Sequence, residues 1–448
     1  MGDARQALVS MADQARPFDV ARTELEATWL DAANDLFAKR RRQIPALDRL
    51  AEDVRVDRIS SLEDLVPVLF AHSAYKSYPR SLLEKRRWDG LTRWLNTVAA
   101  SPIENIDLTD VETQDDWIAA LSKHDHPVYA SSGTSGKSSF LPATPSDREF
   151  TMNCIIRSVQ WQHNIQPDHS HNVLVLAPSQ GSSRALEFYR LFAHHYGNPD
   201  RTCFLTDEPA LLSDLTRMAS LTRSIANGTA MPSELTAFET DMAERLRRID
   251  TDWDRMADIV TKLEGSRVII QGFWAQQWTL IERLRARGIT RLPLDPTSLL
   301  GVGGGTKGAD MPPDFEAQIF DFYALDATRQ AGGYGMSELS AAMPQIGDRY
   351  VIQPWIIPLI LSEDGTELIS PSGGQHEGRF AFFDTALEGR WGGLISGDRV
   401  VADFDTPNVT IVAGSVTRYS DLRGGEDDRL TCAGTIDAFV RGLTDEAR

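Results

Sequence analysis

The chain has 448 residues, of which 42% are hydrophobic and 25% charged, enough apolar material for a large core. Collagen-like, low-complexity and wholly disordered chains are excluded, and at about 150 residues per domain two to three domains are expected. The formal net charge of −18 disfavours unspecific binding to nucleic acid or anionic lipid.

In chain order, residues 16–100 read as helical: Leu25, Trp29, Ala32 and Leu36 recur at three- and four-residue spacing, one face of a helix. Ser60, Ser61 and Asp64 are set to cap a short helix before LVPVLFAHSAY. Residues 128–147 read as strand (VYA), small-residue loop (SSGTSGKSS) and strand (FLPAT). NVLVLAP (172–178) is a buried-strand run. Residues 208–264 return to helix, with Leu235, Phe238, Met242, Leu246 and Ile249 on one stripe. SRVIIQGFW (266–274) predicts a strand and TLIERLRARG (279–288) a helix with a glycine stop. SLLGVGGG (298–305) predicts strand then loop, and DFEAQIFDFYAL a helix behind Pro312 and Pro313. After about 345 short strands dominate. Strands alternating with helices, then a β-rich end, predict a layered α/β protein. No apolar run approaches the roughly 18 residues of a membrane span, and the polar N-terminal stretch is not of secretory type. Cys154, Cys203 and Cys432 cannot make a disulfide framework, so a cytoplasmic protein is expected.

The most informative stretch is 131–139. Gly133 and Gly136 permit tight turns and close backbone approach to a ligand. Ser131, Ser132, Thr134, Ser135 and Ser138 offer hydroxyls, and Lys137 adds a point charge. Such a loop suits the oxygens of a polyphosphate; the same composition also suits a flexible linker. A P-loop would need glycine at position 131, where Ser131 stands, and a helix directly after the loop. GVGGGTKG (301–308) spaces Gly303, Gly305 and Gly308 as G-x-G-x-x-G, a turn against which a flat ring can lie or a plain structural turn. In GGYGMSELS (332–340), Tyr334 between glycines can offer its ring face to a base. Ser337 can donate to a phosphate oxygen, and Glu338 is a hard oxygen ligand of the kind Mg²⁺ prefers. Asp398 in SGDRV can accept two hydrogen bonds from a ribose diol, or be a salt-bridged turn.

Taken together and in this order, the four pieces resemble the adenylate-forming superfamily of acyl-CoA synthetases, luciferases and adenylation domains. The form SSGTSG is nearest to the acyl-protein synthetase and phenylacetate–CoA ligase group and to the plant-type acyl acid amido synthetases. The resemblance covers about residues 100–440. With the helical reading of residues 1–100 as an N-terminal segment and of 208–264 as an insertion, it implies an adenylate-forming α/β core (101–415) and a hinge or lid remnant (416–448). It implies ATP phosphates gripped by the loop Ser131, Ser132, Gly133, Thr134, Ser135 and Gly136, with Lys137, Ser337 and Glu338 in the chemistry. Gly304 and Gly305 would line the adenine, Tyr334, flanked by Gly335 and Met336, would stack on it, and Asp398 would hold the ribose. Glu338 would be the Mg²⁺ ligand. The implied reaction joins a carboxylic acid to AMP, releases pyrophosphate, and passes the acyl group to CoA, a carrier or protein thiol, or an amine. Phe273, Trp274 and Trp278, as an aromatic wall, and Gly303 would face the acid, though core packing explains the three aromatics as well.

The family lid carries a lysine, and no lysine follows Lys307. Lys137, Arg399, Arg418 or Arg429 are the candidates to replace it, or a partner protein supplies a lid. Cys432 is expected to be an inert thiol rather than an acyl acceptor. The pairs His124/His126, His169/His171 and His194/His195 lack carboxylate or cysteine companions at ligand spacing and are expected in exposed loops.

Overall fold

The computed structural model describes residues 2–131, 137–303, 310–371 and 373–422. Helices come first: α1 (Asp3–Ser10), α2 (Arg22–Arg41) and α3 (Pro45–Val54). The apolar stripe of α2 is buried, with Leu25, Trp29, Ala32, Leu36 and Phe37 inward as its spacing predicts. Asp64 is the predicted cap: its carboxylate accepts from the amides of Ser60 and Ser61 at the head of a 3₁₀ turn, Glu63–Val68. A short strand β1 (Phe70–Ala71), α4 (Arg80–Glu84), α5 (Trp88–Asn96) and α6 (Gln114–Lys123) follow. Then β2 (Val128–Ala130) and β3 (Phe140–Pro142) pair antiparallel, and α7 (Pro145–His163) leaves them.

The middle of the chain is β4 (His171–Pro178), α8 (Arg184–Tyr196), β5 (Gly197–Thr206), α9 (Leu212–Ala226), α10 (Pro232–Val260), β6 (Val268–Gln271), α11 (Trp274–Ala286), β7 (Leu299–Val302), α12 (Phe315–Tyr323) and β8 (Gln330–Tyr334). The last part is strands: β9 (Met343–Ile346), β10 (Arg349–Val351), β11 (Ile356–Leu361), β12 (Gln375–Asp384), β13 (Gly393–Asp403), β14 (Thr410–Val412) and β15 (Thr417–Arg418), closing with α13 (Tyr419–Leu422). The layered α/β expectation holds.

Two units divide the chain. The contiguous one is Ile155–Gly333. Its strands are all parallel, in the order β8-β7-β6-β4-β5. Alternate residues serve opposite faces, as period 2 requires. Leu174, Leu176, Val268, Ile270 and Leu300 join α10, α11 and α12 in one core cluster, whereas Val173, Val175, Ile269 and Leu299 join α8 in another. The strand predicted over 266–274 ends early, at Gln271, and the helix predicted from Thr279 already starts at Trp274, where the Gln276 side chain accepts from the Phe273 amide. Its predicted stop is real: Gly288 takes φ 84° and its amide returns to the Arg285 carbonyl. The α10 stripe is only partly used. Leu235, Phe238 and Met242 are half-buried, but Leu246 is 59% exposed and Ile249 also reaches solvent.

The other unit is built from the described parts of Met1–Cys154 and Tyr334–Arg448. Its sheet runs β11-β12-β13-β14-β10-β9 and is antiparallel along that order. On β13, β1 adds in parallel at Leu394 and Ile395, and β15 adds antiparallel at Asp398 and Arg399. Arg5 of α1 ties into this unit through the carbonyls of Thr385 and Ala386 and the carboxylate of Glu388. Asp147, at the head of α7, accepts from the amides of Thr144, Glu388 and Gly389.

Candidate active site

The loop 131–139 sits on a hairpin. Strand β3, not a helix, follows it, which removes the P-loop geometry. Ser132, Gly133, Thr134, Ser135 and Gly136 lie outside the described residues; both ends of the loop are described. Ser131 closes it, its hydroxyl accepting from the Ser139 amide at 2.8 Å while its own amide donates to the Ser139 carbonyl at 3.1 Å. Lys137 donates to the Tyr78 carbonyl, and its ammonium lies 4.4 Å from the centroid of the Tyr78 ring. The Tyr78 hydroxyl donates to the Ser138 carbonyl at 2.9 Å. Tyr78, buried against Trp94 and Phe140, therefore holds the exit of the loop from three directions.

Tyr334 and Asp398, 64 residues apart, meet: the phenol donates to Oδ2 of the carboxylate at 2.8 Å. The Tyr334 ring is 8% exposed and lies between Tyr350 and Phe380. Burial holds the Asp398 carboxyl above the ordinary carboxylate range, opposed by the Tyr334 hydroxyl and the charge of Arg418. Burial also lifts the Tyr334 phenol well above its usual value, and the Asp398 charge adds to this. Behind Tyr334, the chain turns through Gly335, Met336, Ser337 and Glu338. A Cβ on Gly335 would lie 2.8 Å from that of Ala342, so only glycine fits this crossing. Ser337 and Glu338 are half-buried.

Long-range contacts within this unit bring the loop hairpin and the glutamate turn together. The Arg390 guanidinium donates to the carbonyl of Pro142, at the end of β3, and to that of Glu338. Tyr75 is placed by its hydroxyl on the Trp391 carbonyl and lies within reach of the charges of Arg390 and Glu338. His72 packs by its ring against Gly397, next to Asp398. Tyr75, Tyr78, His72 and Arg390 were not marked by any sequence signal. Their importance comes from contacts with residues distant in the chain, such as the 59 between Tyr78 and Lys137.

Of the candidate lid substitutes, Arg418 is the cross-strand partner of Asp398. Arg399 is engaged by Glu377 at 2.9 Å and Thr417 at 3.2 Å. Arg429 and Cys432, like the rest of the 423–448 segment, lie outside the described residues.

In the parallel unit, the chain leaves β4 for β5 on one side, and β6 lies on the other side of β4. That is a topological switch point, where open α/β sheets bind ligands beyond the carboxyl ends of their strands. Phe273 stands just past the carboxyl end of β6 and is half-buried. Trp274 is 6% exposed, with its ring against Phe315 and Phe320, a core position. Gly303 follows β7, and a Cβ there would meet nothing within 4 Å. Gly304 and Gly305 lie outside the described residues.

The histidines meet expectation only in part: His124 and His169 are exposed and lie outside helices and strands. His171 opens β4 fully buried, and His194 and His195 are on α8 rather than in a loop. Burial is the main force holding both His163 and His171 down to about 4. His163 shares a 3.0 Å hydrogen bond with the Gln330 carbonyl. Both groups are neutral when folded but titrate near 6.5 when unfolded, so their contribution to stability is complete above about 6.5 and is lost as pH falls towards 4. Urea midpoints measured between pH 7 and pH 4 are expected to fall over that window, with a shallower fall in His163→Gln. An equal slope in the variant removes His163 from the effect. Among the described residues, no cluster of three or more His, Cys, Asp or Glu side chains could hold a metal ion, and no helix is long and apolar enough to cross a membrane.

A chain with a contiguous parallel α/β unit, flanked in sequence by the two parts of an antiparallel-sheet unit that carries the serine–glycine hairpin, the tyrosine–glutamate turn and the Asp398 strand, has the fold of the adenylate-forming enzymes. Among solved structures, the chain is similar to 2-hydroxyisobutyryl-CoA ligase in an open conformation with 2-HIB-AMP and CoA. The TM-score is 0.54 at 12% identity, over 91% of this chain and 78% of that one. It is equally similar to the same ligase with these ligands in the thioesterification state, with TM-score 0.54 and 12% identity over 94% of this chain and 72% of that one. No family model and no curated protein matches the sequence itself.

Proposed function

We propose that the protein activates a carboxylic acid with ATP. A carboxylate oxygen attacks the α-phosphorus, the bond to the β-phosphate bridging oxygen breaks, and acyl-AMP and pyrophosphate form. A thiol, of CoA or of a carrier or protein, or an amine then takes the acyl group and releases AMP. One observation carries this reading: in a single unit, Arg390 ties the hairpin of the serine–glycine loop to the turn of Glu338, and the same turn begins at Tyr334, which touches Asp398.

The residues present fit ATP with Mg²⁺. Asp398 is a half-buried carboxylate with one oxygen held by Tyr334, leaving an acceptor for a ribose hydroxyl. Lys137, the loop hydroxyls and Ser337 are donors for phosphate oxygens. Glu338 is the hard-oxygen ligand, and Mg²⁺ held by one carboxylate and by substrate phosphates is the usual arrangement in such sites. The ion, when bound, neutralises charge on the phosphates. The protein's own part in this reading is placement: donors held where negative charge grows act most strongly there. Arg418, opposite Asp398, is the described cation best placed to stand in for a lid lysine.

The test is ATP–pyrophosphate exchange against a panel of carboxylic acids, with analysis of the nucleotide product. Acid-dependent exchange and AMP are expected. Release of ADP, or exchange with none of the acids, overturns the reading.

A further inference from the structure

We propose that Arg390 is the positioning residue of this site: its guanidinium sets the spacing between the phosphate-binding hairpin and the turn that carries Glu338. The proposal deepens the adenylate-forming reading and, as to what the spacing serves, rests on it. Arg390 is 1% exposed. Nη1 donates to the Pro142 carbonyl at 3.1 Å and Nη2 to the Glu338 carbonyl at 2.9 Å. One planar, rigid group thus grips the main chain of both elements, and neither carbonyl can shift without losing a charge-assisted bond.

The opposite end of the same connection, from β12 to β13, grips the turn a second time. Asp384, fully buried, accepts from the Ser340 amide at 2.7 Å and the Ala386 amide at 3.0 Å, and the charge of Arg390 acts on its carboxyl. The turn is therefore held by a cation at the carbonyl of residue 338 and by a carboxyl oxygen at the amide of residue 340. Next to Arg390, the Trp391 carbonyl accepts from Tyr75, and the Gly389 amide donates to Asp147 at the head of α7. Burying a guanidinium is costly unless its hydrogen bonds are well placed, and neutral donors would join two strands at less cost. A buried cation whose two bonds go to two separate ligand-bearing elements is explained by the need for fixed geometry there.

The experiment compares wild type with Arg390→Lys and Arg390→Met. Hydrogen–deuterium exchange is followed in the segments 128–142 and 335–342, and Mg·ATP binding is measured by calorimetry. Lysine keeps the charge but supplies a point donor without the fork, so it separates position from charge. In Arg390→Lys, both segments are expected to exchange faster together while the β11–β12 ladder keeps its protection. Mg·ATP is expected to bind about 10- to 100-fold more weakly, the loss of one or two charge-assisted bonds. Wild-type affinity with unchanged protection in both segments overturns the proposal. So does loss of protection spread evenly over the sheet, which marks a core role alone. Arg390→Met should show the same pattern more strongly if it folds, and the lysine variant decides if it does not. Absence of Mg·ATP binding by the wild type overturns the functional reading, and the exchange pattern then still decides whether the clamp exists.

Discussion

Glu338→Ala is expected to lower Mg²⁺-dependent pyrophosphate exchange by about 100- to 1,000-fold, the usual scale for losing a group that stabilises developing charge. The fold should survive. The side chain is half-buried, and the contact that anchors the turn is to the Glu338 carbonyl, which alanine retains. Exchange rates across a Mg²⁺ titration, set beside the melting temperature, check this. Wild-type exchange in the variant removes Glu338 from the mechanism. A melting temperature that falls in step with activity assigns the residue to the fold instead.

The second large effect is expected at Asp398. Asp398→Ala removes the ribose acceptor and also deprives the buried Tyr334 phenol of its 2.8 Å partner. Two losses should appear together: ATP binding weaker by about 10- to 100-fold, and stability lower by about 1–3 kcal/mol for a buried polar group left wanting. Asp398→Asn separates them. The amide oxygen can still accept from Tyr334, so stability should largely return, while affinity stays reduced because the charged acceptor is gone. ATP and 2′- or 3′-deoxy-ATP supply the readout. In the wild type the missing hydroxyl should cost affinity, and in both variants the deoxy analogues should bind about as well as ATP. An Asp398→Ala protein that still distinguishes ATP from its deoxy forms rules out the ribose role.

Much of the fold was legible because it depends on local patterns. The stripe of α2, the cap at Asp64, the buried run of β4 and the glycine after α11 are all decided within a few residues. The loop hairpin was also legible, since VYA and FLP are short apolar runs around small residues. The candidate site was legible only in its motif residues. What holds those residues together is tertiary. Tyr78 has no signature that points to Lys137, and Arg390 stands in a turn-like stretch whose two carbonyl partners are 248 and 52 residues away. His171 misled for another reason. The lack of metal-ligand companions in sequence suggested an exposed loop, but His171 opens a parallel strand covered on both faces, where even its first residue is buried. The exposed part of the α10 stripe shows the same limit: spacing gives a face, and tertiary packing decides how much of it is covered.

The division of the chain bears on synthesis. Ile155–Gly333 is contiguous, and its parallel strands and covering helices are complete once residue 333 has left the ribosome. The helices ahead of it must wait. Arg5 bonds to Thr385 and Ala386, and Trp29 donates to the Pro354 carbonyl, contacts that span 325 to 381 residues. During translation the apolar faces around Trp29 and Phe37 therefore lack the strands they later cover, while the inserted unit can already be folded. At about 5–20 residues per second, the interval from residue 333 to 391 lasts some seconds. For that period the early helices are a chaperone's problem, and the unit that carries Tyr334, Glu338 and Asp398 is the last to acquire its form.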